Sequence, residues 1–371
     1  MSADNAMGAK LEELEEEYAK TKHNKATNKH LGILRAKIAK LRHDMTSKKG
    51  HGGIGFSVKK SGDATVALVG FPNAGKSSLL GRLTEVESKV AGYAFTTVSV
   101  IPGILEHNGA QIQVLDLPGL IRGAGEGKGD GLRIASVIRV SDLLLFLVDV
   151  NRPWEMYELM EELNMLRIRP NRKRPAIRIE HKQTGGISIA ANKHRIPDKG
   201  TVTGILNEFS VYNADAYFYE DVDADDIIDV LSGNVVYIDG IVALNKIDTV
   251  DARVVSATAA EIKRRTGMEV IPISAAHGTN MENLGEALFR RLRLMRVYLK
   301  PKDGEADLSK PLIAREGATI MDIAKQLHSK TAKNLRYAYV DGSSVKFRNQ
   351  KMGLEHCLKD GDVVTLVYRE A

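Results

Sequence analysis

The chain has 371 residues, 43% hydrophobic and 27% charged, with a formal net charge of +6 and one cysteine, Cys357. That length buries a real core and has room for two or three domains, which excludes a disordered chain, while a lone cysteine excludes an internal disulfide framework and fits a reducing compartment such as the cytoplasm. No apolar run approaches the ~18 residues needed to span a bilayer, and the first residues are acidic where a signal peptide is basic, so no membrane partner is expected.

The charge is unevenly spread. Residues 1 to 62 hold 13 Lys/Arg against 7 Asp/Glu, an excess equal to the whole net charge. From Leu11 to about Asp44 the pattern is helical: Leu31, Leu34, Ile38 and Leu41 recur at three- and four-residue steps among Arg35, Lys37, Lys40 and Arg42. Gly32 interrupts the run, so one helix and two helices joined by a turn fit equally well. The basic face is either the solvated side of a helical hairpin packed on the next domain or a contact for RNA phosphates. Gly50 to Gly55 reads as a linker, which closes a first segment at about residue 62.

Ala64 to Val69 then reads as a buried strand, and Ser78 to Leu83 continues as a helix. Between them, Gly70-Phe71-Pro72-Asn73-Ala74-Gly75-Lys76-Ser77 fits the phosphate-loop pattern, whose glycines let successive N–H groups converge on phosphate oxygens at a helix N-terminus. Pro72, Asn73, Ala74, Gly75 and Ser78 would line that cradle, Lys76 would reach the β- and γ-phosphates, and Ser77 would hold Mg2+. Further strands are expected at Gln111 to Asp116, Leu143 to Asp149, Ile241 to Asn245 and Val270 to Ser274, apolar enough for a parallel sheet covered on both faces.

The later motifs select the base. Asp116-Leu117-Pro118-Gly119 offers a carboxylate to the Mg2+ shell and an N–H to the γ-phosphate. In Asn245-Lys246-Ile247-Asp248, the Asp248 carboxylate can accept from guanine N1 and N2, donors that adenine lacks, and Ser274-Ala275-Ala276 can present an N–H to guanine O6. Tyr93-Ala94-Phe95-Thr96-Thr97 stands where a first switch would close on Mg2+, through Thr97 or Thr96. The glycine-rich stretch from Gly119 to Gly131 stands as the second. Leu120 occupies the place of a water-orienting glutamine and cannot do that work, so hydrolysis must draw on another element: K+ held by Asn73, Arg122, or a partner in trans.

Asn245 stands 96 positions after Asp149, far more than one strand-helix unit requires. A small α+β subdomain is therefore expected at 169–236, with a basic patch at its start (Arg167, Arg169, Arg172, Lys173, Arg174, Arg178) and an acidic stretch at its end (Asp221, Asp223, Asp225, Asp226, Asp229). It divides a nucleotide-binding domain into 63–168 and 237–294. The last segment, 295–371, reads as a separate sheet embracing one helix: a capping box at Thr319 to Asp322 opens a helix through Leu327 and His328, with strands at Arg336 to Val340, Val345 to Phe347 and Val363 to Val367.

Together these residues resemble the developmentally regulated GTP-binding proteins of the Obg-like GTPases. The resemblance rests on Lys25-Ala26-Thr27 and the helix after it, Gly70 to Ser78, Phe95-Thr96-Thr97, Asp116 to Gly119, Gly185-Gly186-Ile187-Ser188 in the insert, and the C-terminal unit. It implies an α/β fold in which a Ras-like P-loop GTPase domain carries an N-terminal helical hairpin, an inserted α+β subdomain and a C-terminal β-grasp (TGS) domain. It also implies K+-stimulated hydrolysis of GTP to GDP, and association with the ribosome or RNA through the basic N-terminal segment and the TGS domain, with room for a regulatory protein partner. The chain departs from the family pattern at Asn73, where many relatives have serine, and at Arg122, where an acid is usual. The other reading is a GTP-dependent protein-interaction module with negligible hydrolysis. No prenylation cysteine stands near Tyr368 to Ala371, which argues against a membrane-anchored signalling role.

Overall fold

A computed structural model of the chain describes residues 3–22, 24, 27–48, 61–83, 101–117, 130–301, 304–327 and 331–369. In chain order the elements are α1 (Ala3–Lys20), α2 (Asn28–Lys48), β1 (Ala64–Val69), α3 (Lys76–Leu83), β2 (Ile101–His107), β3 (Ala110–Asp116), α4 (Asp130–Val140), β4 (Leu143–Asp149) and α5 (Glu155–Met165). There follow β5 (Ile168–Pro170), β6 (Ile177–His181), β7 (Ile187–Ala190), α6 (Lys199–Glu208), β8 (Ala214–Phe218), α7 (Ala224–Ser232) and β9 (Val236–Ile238). The chain then returns through β10 (Gly240–Asn245), α8 (Ala252–Thr266), β11 (Val270–Pro272) and α9 (Met281–Arg291). It closes with β12 (Leu294–Leu299), β13 (Leu312–Arg315), α10 (Ile320–Leu327), β14 (Leu335–Asp341), β15 (Gln350–Met352) and β16 (Asp362–Tyr368). Among the described residues no helix is long and apolar enough to cross a membrane.

Two compact units emerge, and their composition does not follow chain order. One joins 1–56 to 167–237; the other joins 57–166 to 238–371.

In the first unit α1 and α2 are separate helices, broken at residues 21–27 and not at Gly32, which lies inside α2. The reason is packing. A Cβ at Gly32 would stand 3.0 Å from Thr201 Cγ2, so the missing side chain lets α2 lie close against α6 and α7. Leu31, Leu34 and Ala36 are fully buried, and Ala36 shares a core with Val202, Ile205, Phe218 and Ile227. Part of the basic face is absorbed by this packing: Arg35 pairs with Asp225, Arg42 with Glu15, and Lys40 donates to the Glu208 carbonyl. The basic start of the insert meets its own acidic end in the same way, through Arg169 and Asp229, joined by two bonds of 2.7 Å.

In the second unit the main sheet, as far as described, runs β11-β10-β4-β1-β3-β2, parallel except for the β2–β3 hairpin. Every residue of β1, β4 and β10 is buried, as the apolar runs require of parallel strands covered on both faces. The C-terminal sheet runs β13-β12-β16-β14-β15 around α10, whose capping box forms as expected between Thr319 and Asp322. The segment Val345 to Phe347 is not a strand. The Gln350 side chain accepts from the N–H groups of Lys346 and Phe347, which bends the backbone there and moves the strand to β15. Leu294 and Ile313 of this C-terminal part pack in the core under the main sheet, and Arg315 pairs with Asp142 at 2.9 Å.

Candidate functional site

The carboxyl ends of β1, β3, β4 and β10 face one edge of the parallel sheet, the edge where open α/β sheets bind ligands. Gly70 to Gly75 turn tightly there between β1 and α3. Asn73 takes a left-handed φ of 70° and Gly75 one of 97°. A Cβ on Gly70 would press to 2.7 Å of the Leu147 carbonyl, and one on Gly75 to 2.5 Å of the Asn245 amide, so both glycines are required by close approach, and Gly75 by its conformation as well. Lys76 opens α3, and its ammonium donates back to the Gly70 and Phe71 carbonyls at 3.1 and 3.4 Å. Ser77 and Ser78 are exposed at the first turn. Among the described residues no hydrogen bond holds the Asn73 side chain. Its left-handed backbone gives asparagine a conformational reason to be there.

Across the loop, Asp116 ends β3. Its carboxylate is buried, and Oδ1 has no hydrogen-bond partner among the described residues. Burial pushes its pKa up, and the nearby Lys76 charge offsets this only in part; burial likewise lowers the pKa of Lys76, against the pull of Asp116. Desolvation exceeds attraction at both groups among the described residues. The Asp116 carboxylate at the end of β3 and the exposed Ser77 hydroxyl at the start of α3 are oxygen donors of the kind Mg2+ takes.

The base end is already furnished. Asn245 straps it to the phosphate loop: its amide donates to the Ala74 carbonyl at 2.8 Å and accepts from the Ala275 N–H at 2.9 Å. Asp248 accepts from the buried Ser274 hydroxyl at 2.5 Å, a bond that leads the causes holding its carboxyl below the usual range. His277 lies 3.7 Å from the other oxygen of Asp248. The Ala276 carbonyl accepts from Arg82 of α3. Lys246 donates to Asp149 at 2.8 Å; burial raises the pKa of that carboxyl, but its bonds from Lys246 and Asn151 outweigh this and lower it.

The structure thus brings together Gly70, Pro72, Asn73, Ala74, Gly75, Lys76, Ser77, Ser78, Asp116, Asn245, Lys246, Asp248, Ser274, Ala275 and Ala276 along one edge. Thr96, Thr97, Gly119, Leu120 and Arg122 lie outside the described residues, as do the Gly50 to Gly55 segment and His328. Of the glycine-rich stretch, Gly131 falls in α4. Sequence reasoning missed Asp149, Asn151, Thr249, Arg82 and His277. The first of these carried a partial signal: Asp149 is the acid that closes the apolar run Leu143 to Val148, and acids at the carboxyl ends of parallel strands face the ligand edge.

Comparison with known proteins agrees with this geometry. The family described as 50S ribosome-binding GTPase matches residues 65–182, the C-terminal region of the same domain matches 184–294, and a TGS domain matches 295–368. The chain is 42% identical over 366 residues to developmentally-regulated GTP-binding protein 1 of Xenopus laevis, with 97% of this chain and 98% of that one covered. It belongs to the developmentally regulated GTP-binding protein family. Another relative, ribosome-interacting GTPase 1 of Saccharomyces cerevisiae, is 39% identical over 96% of this chain and 98% of its own. Among solved structures, a GTP-binding protein from Pyrococcus horikoshii matches 82% of this chain and all of its own, at 15% identity and a TM-score of 0.45. As a family member the chain has the Ras-like P-loop GTPase domain and C-terminal TGS domain expected of it, and it binds guanine nucleotide.

Proposed function

We propose that this family member is a Mg2+-dependent, K+-stimulated GTPase that engages the ribosome or its RNA in the cytoplasm. The observation that carries the reading is the Asp116 carboxylate, buried with one oxygen that has no hydrogen-bond partner among the described residues, near a desolvated Lys76. Such an arrangement is costly in an empty protein and makes sense where a cation and phosphates arrive together. Ser77 and Asp116, with Thr97, would hold Mg2+, which supplies charge neutralisation at the β- and γ-phosphate oxygens. Lys76 swings from the Gly70 and Phe71 carbonyls to those phosphates, the Gly119 N–H meets the γ-phosphate, and Asp248 reads guanine. Asn73 would contribute one ligand to K+, replacing an arginine finger where Leu120 cannot orient water. The ribosomal partner is supported by the name of the yeast relative and by the family description.

Single-turnover hydrolysis by the full chain tests this in Mg2+ or chelator, in K+ or Na+ at equal ionic strength, and with or without ribosomes. Turnover should vanish in chelator, run faster in K+ than in Na+, and accelerate with ribosomes. Equal rates in the two salts would remove the Asn73 proposal and turn attention to Arg122 or a partner in trans, while negligible turnover throughout would leave an interaction module. Deleting residues 1–60 is a poor probe of RNA contact, because Leu31, Leu34 and Ala36 are core residues of the first unit. Replacing the exposed Lys22 and Lys29 by glutamine is the better one: each lost phosphate contact should flatten the salt slope by about 0.7 to 0.9.

A further inference from the structure

Lys246 stands in the left-handed region, φ 63°, a conformation that a lysine holds only where its surroundings over-determine it. Those surroundings form a closed circuit of hydrogen bonds that begins and ends on this residue. The Lys246 ammonium donates to Asp149 Oδ2 at 2.8 Å. Asp149 Oδ1 accepts from both the backbone N–H and the side-chain amide of Asn151, each at 2.9 Å. The same Asn151 amide donates its other proton to Thr249 Oγ1 at 2.9 Å, and Thr249 Oγ1 donates to the Lys246 carbonyl at 2.8 Å. The side chain and the backbone of Lys246 are therefore tied to one pair of residues at the end of β4, 97 and 95 positions earlier in the chain. The parallel register sets Asp149 beside Asn245, and the Val150 N–H donates to the Asn245 carbonyl at 3.0 Å, so the circuit is anchored on the sheet edge itself.

We infer that Asp149 and Asn151 are positioning residues for the guanine base: they hold the loop from Asn245 to Thr249 in the conformation that receives it, and do so before any ligand binds. The inference rests on the assignment of Asp248 to the base. Asp149 is a small acid at a buried strand end, and its bonds to Asn151 could equally serve to shape the turn after β4. The two roles differ in what they predict. A residue that only shapes the turn lowers stability. One that pre-sets the base loop lowers affinity for GDP and GTP by the same factor, because the base and not the γ-phosphate is affected, and it leaves chemistry on the bound nucleotide alone.

The test uses the full chain, with fluorescent GDP and a non-hydrolysable GTP analogue for affinity and steady-state GTP hydrolysis for KM and kcat. Asp149→Asn keeps the size of the side chain and removes the charge that holds the ammonium. It should weaken GDP and the GTP analogue alike by roughly tenfold and raise KM similarly, with kcat at saturation within about twofold of the parent. Asn151→Ala should lose affinity in the same direction but by less, about threefold, and the double variant should fall short of the product of the two because both act through one circuit. Should Asp149→Asn fail to fold, Asn151→Ala carries the same split between KM and kcat. Asp248→Asn is measured beside them. If Asp248→Asn weakens binding while Asp149→Asn and Asn151→Ala leave both affinities unchanged, the inference is overturned and the base site stands. If all three bind normally, the base assignment falls and the inference with it. A drop in kcat at unchanged KM would also overturn it.

Discussion

The two ends of the nucleotide edge are built on opposite plans. At the base end the polar side chains named above are paired within the protein: Asp248 with Ser274, Lys246 with Asp149, and Asn245 with Ala74 and Ala275. At the phosphate end Lys76 is turned back onto its own loop, and Asp116 keeps a buried oxygen without a partner among the described residues. The contrast follows from what each end receives. A guanine base is neutral and is read by a fixed pattern of donors and acceptors, so pre-set partners sharpen the match and reduce the ordering cost on binding. A triphosphate and its cation bring several charges, so the groups awaiting them must stay unpaired or weakly paired until they arrive.

The largest effect is expected from breaking the charged end. Lys76→Ala should cost roughly a thousandfold in kcat/KM for GTP, since one preorganised charge aimed at the transferring phosphate is lost. Circular dichroism and melting should be near those of the parent, because among the described residues the Lys76 ammonium donates to two backbone carbonyls and its burial outweighs its attraction to Asp116. Turnover at the parent rate would show that the phosphates lie elsewhere. At the base end the loss should be in affinity and selectivity. Asp248→Asn puts an amide donor against guanine donors, so GTP affinity should fall by about a hundredfold while xanthine nucleotides gain, as expected for hydrogen bonds to a charged group. Equal affinity for both bases in parent and variant would take Asp248 out of the base site.

The same contrast separates what the sequence disclosed from what it hid. The phosphate loop was legible because its determinants are contiguous: the turn, the glycines and the helix start all lie between Gly70 and Ser77. The break between Asp149 and Asn245 disclosed the insert through its length alone. What stayed hidden depends on register or on distant packing. Nothing near Asp149 in the sequence says that β4 and β10 align it with Asn245, nor that Asn151 meets Thr249. Gly32 left one helix and two equally open because a helix interior disfavours glycine, whereas its place inside α2 reflects the close approach of Thr201, 3.0 Å from where a Cβ would stand. Val345 to Phe347 has strand composition, but one side chain, Gln350, takes two of its backbone donors.

The smallest effect tests the contrast from the side of stability. If the phosphate end is kept short of partners for the sake of its ligands, relieving it should stabilise the empty protein. Asp116→Asn removes a buried charge whose pKa burial has pushed up, so the nucleotide-free variant should melt about 1 to 2 °C higher, near 1 kcal/mol for a chain of this size, even as Mg2+-dependent hydrolysis collapses. The pH dependence gives the sign independently. A carboxyl whose pKa is higher folded than unfolded binds its proton longer in the folded state, so its contribution is most favourable below the ordinary carboxylate range. It is lost as pH rises through that range toward the raised value. The melting difference between parent and Asp116→Asn should therefore be small in acid and open as pH rises through this window, and saturating Mg2+ with GDP should reverse its sign by stabilising the parent alone. A variant that melts lower than the parent at neutral pH without ligand would mean that Asp116 is held by partners of its own, and the two ends would then be built alike.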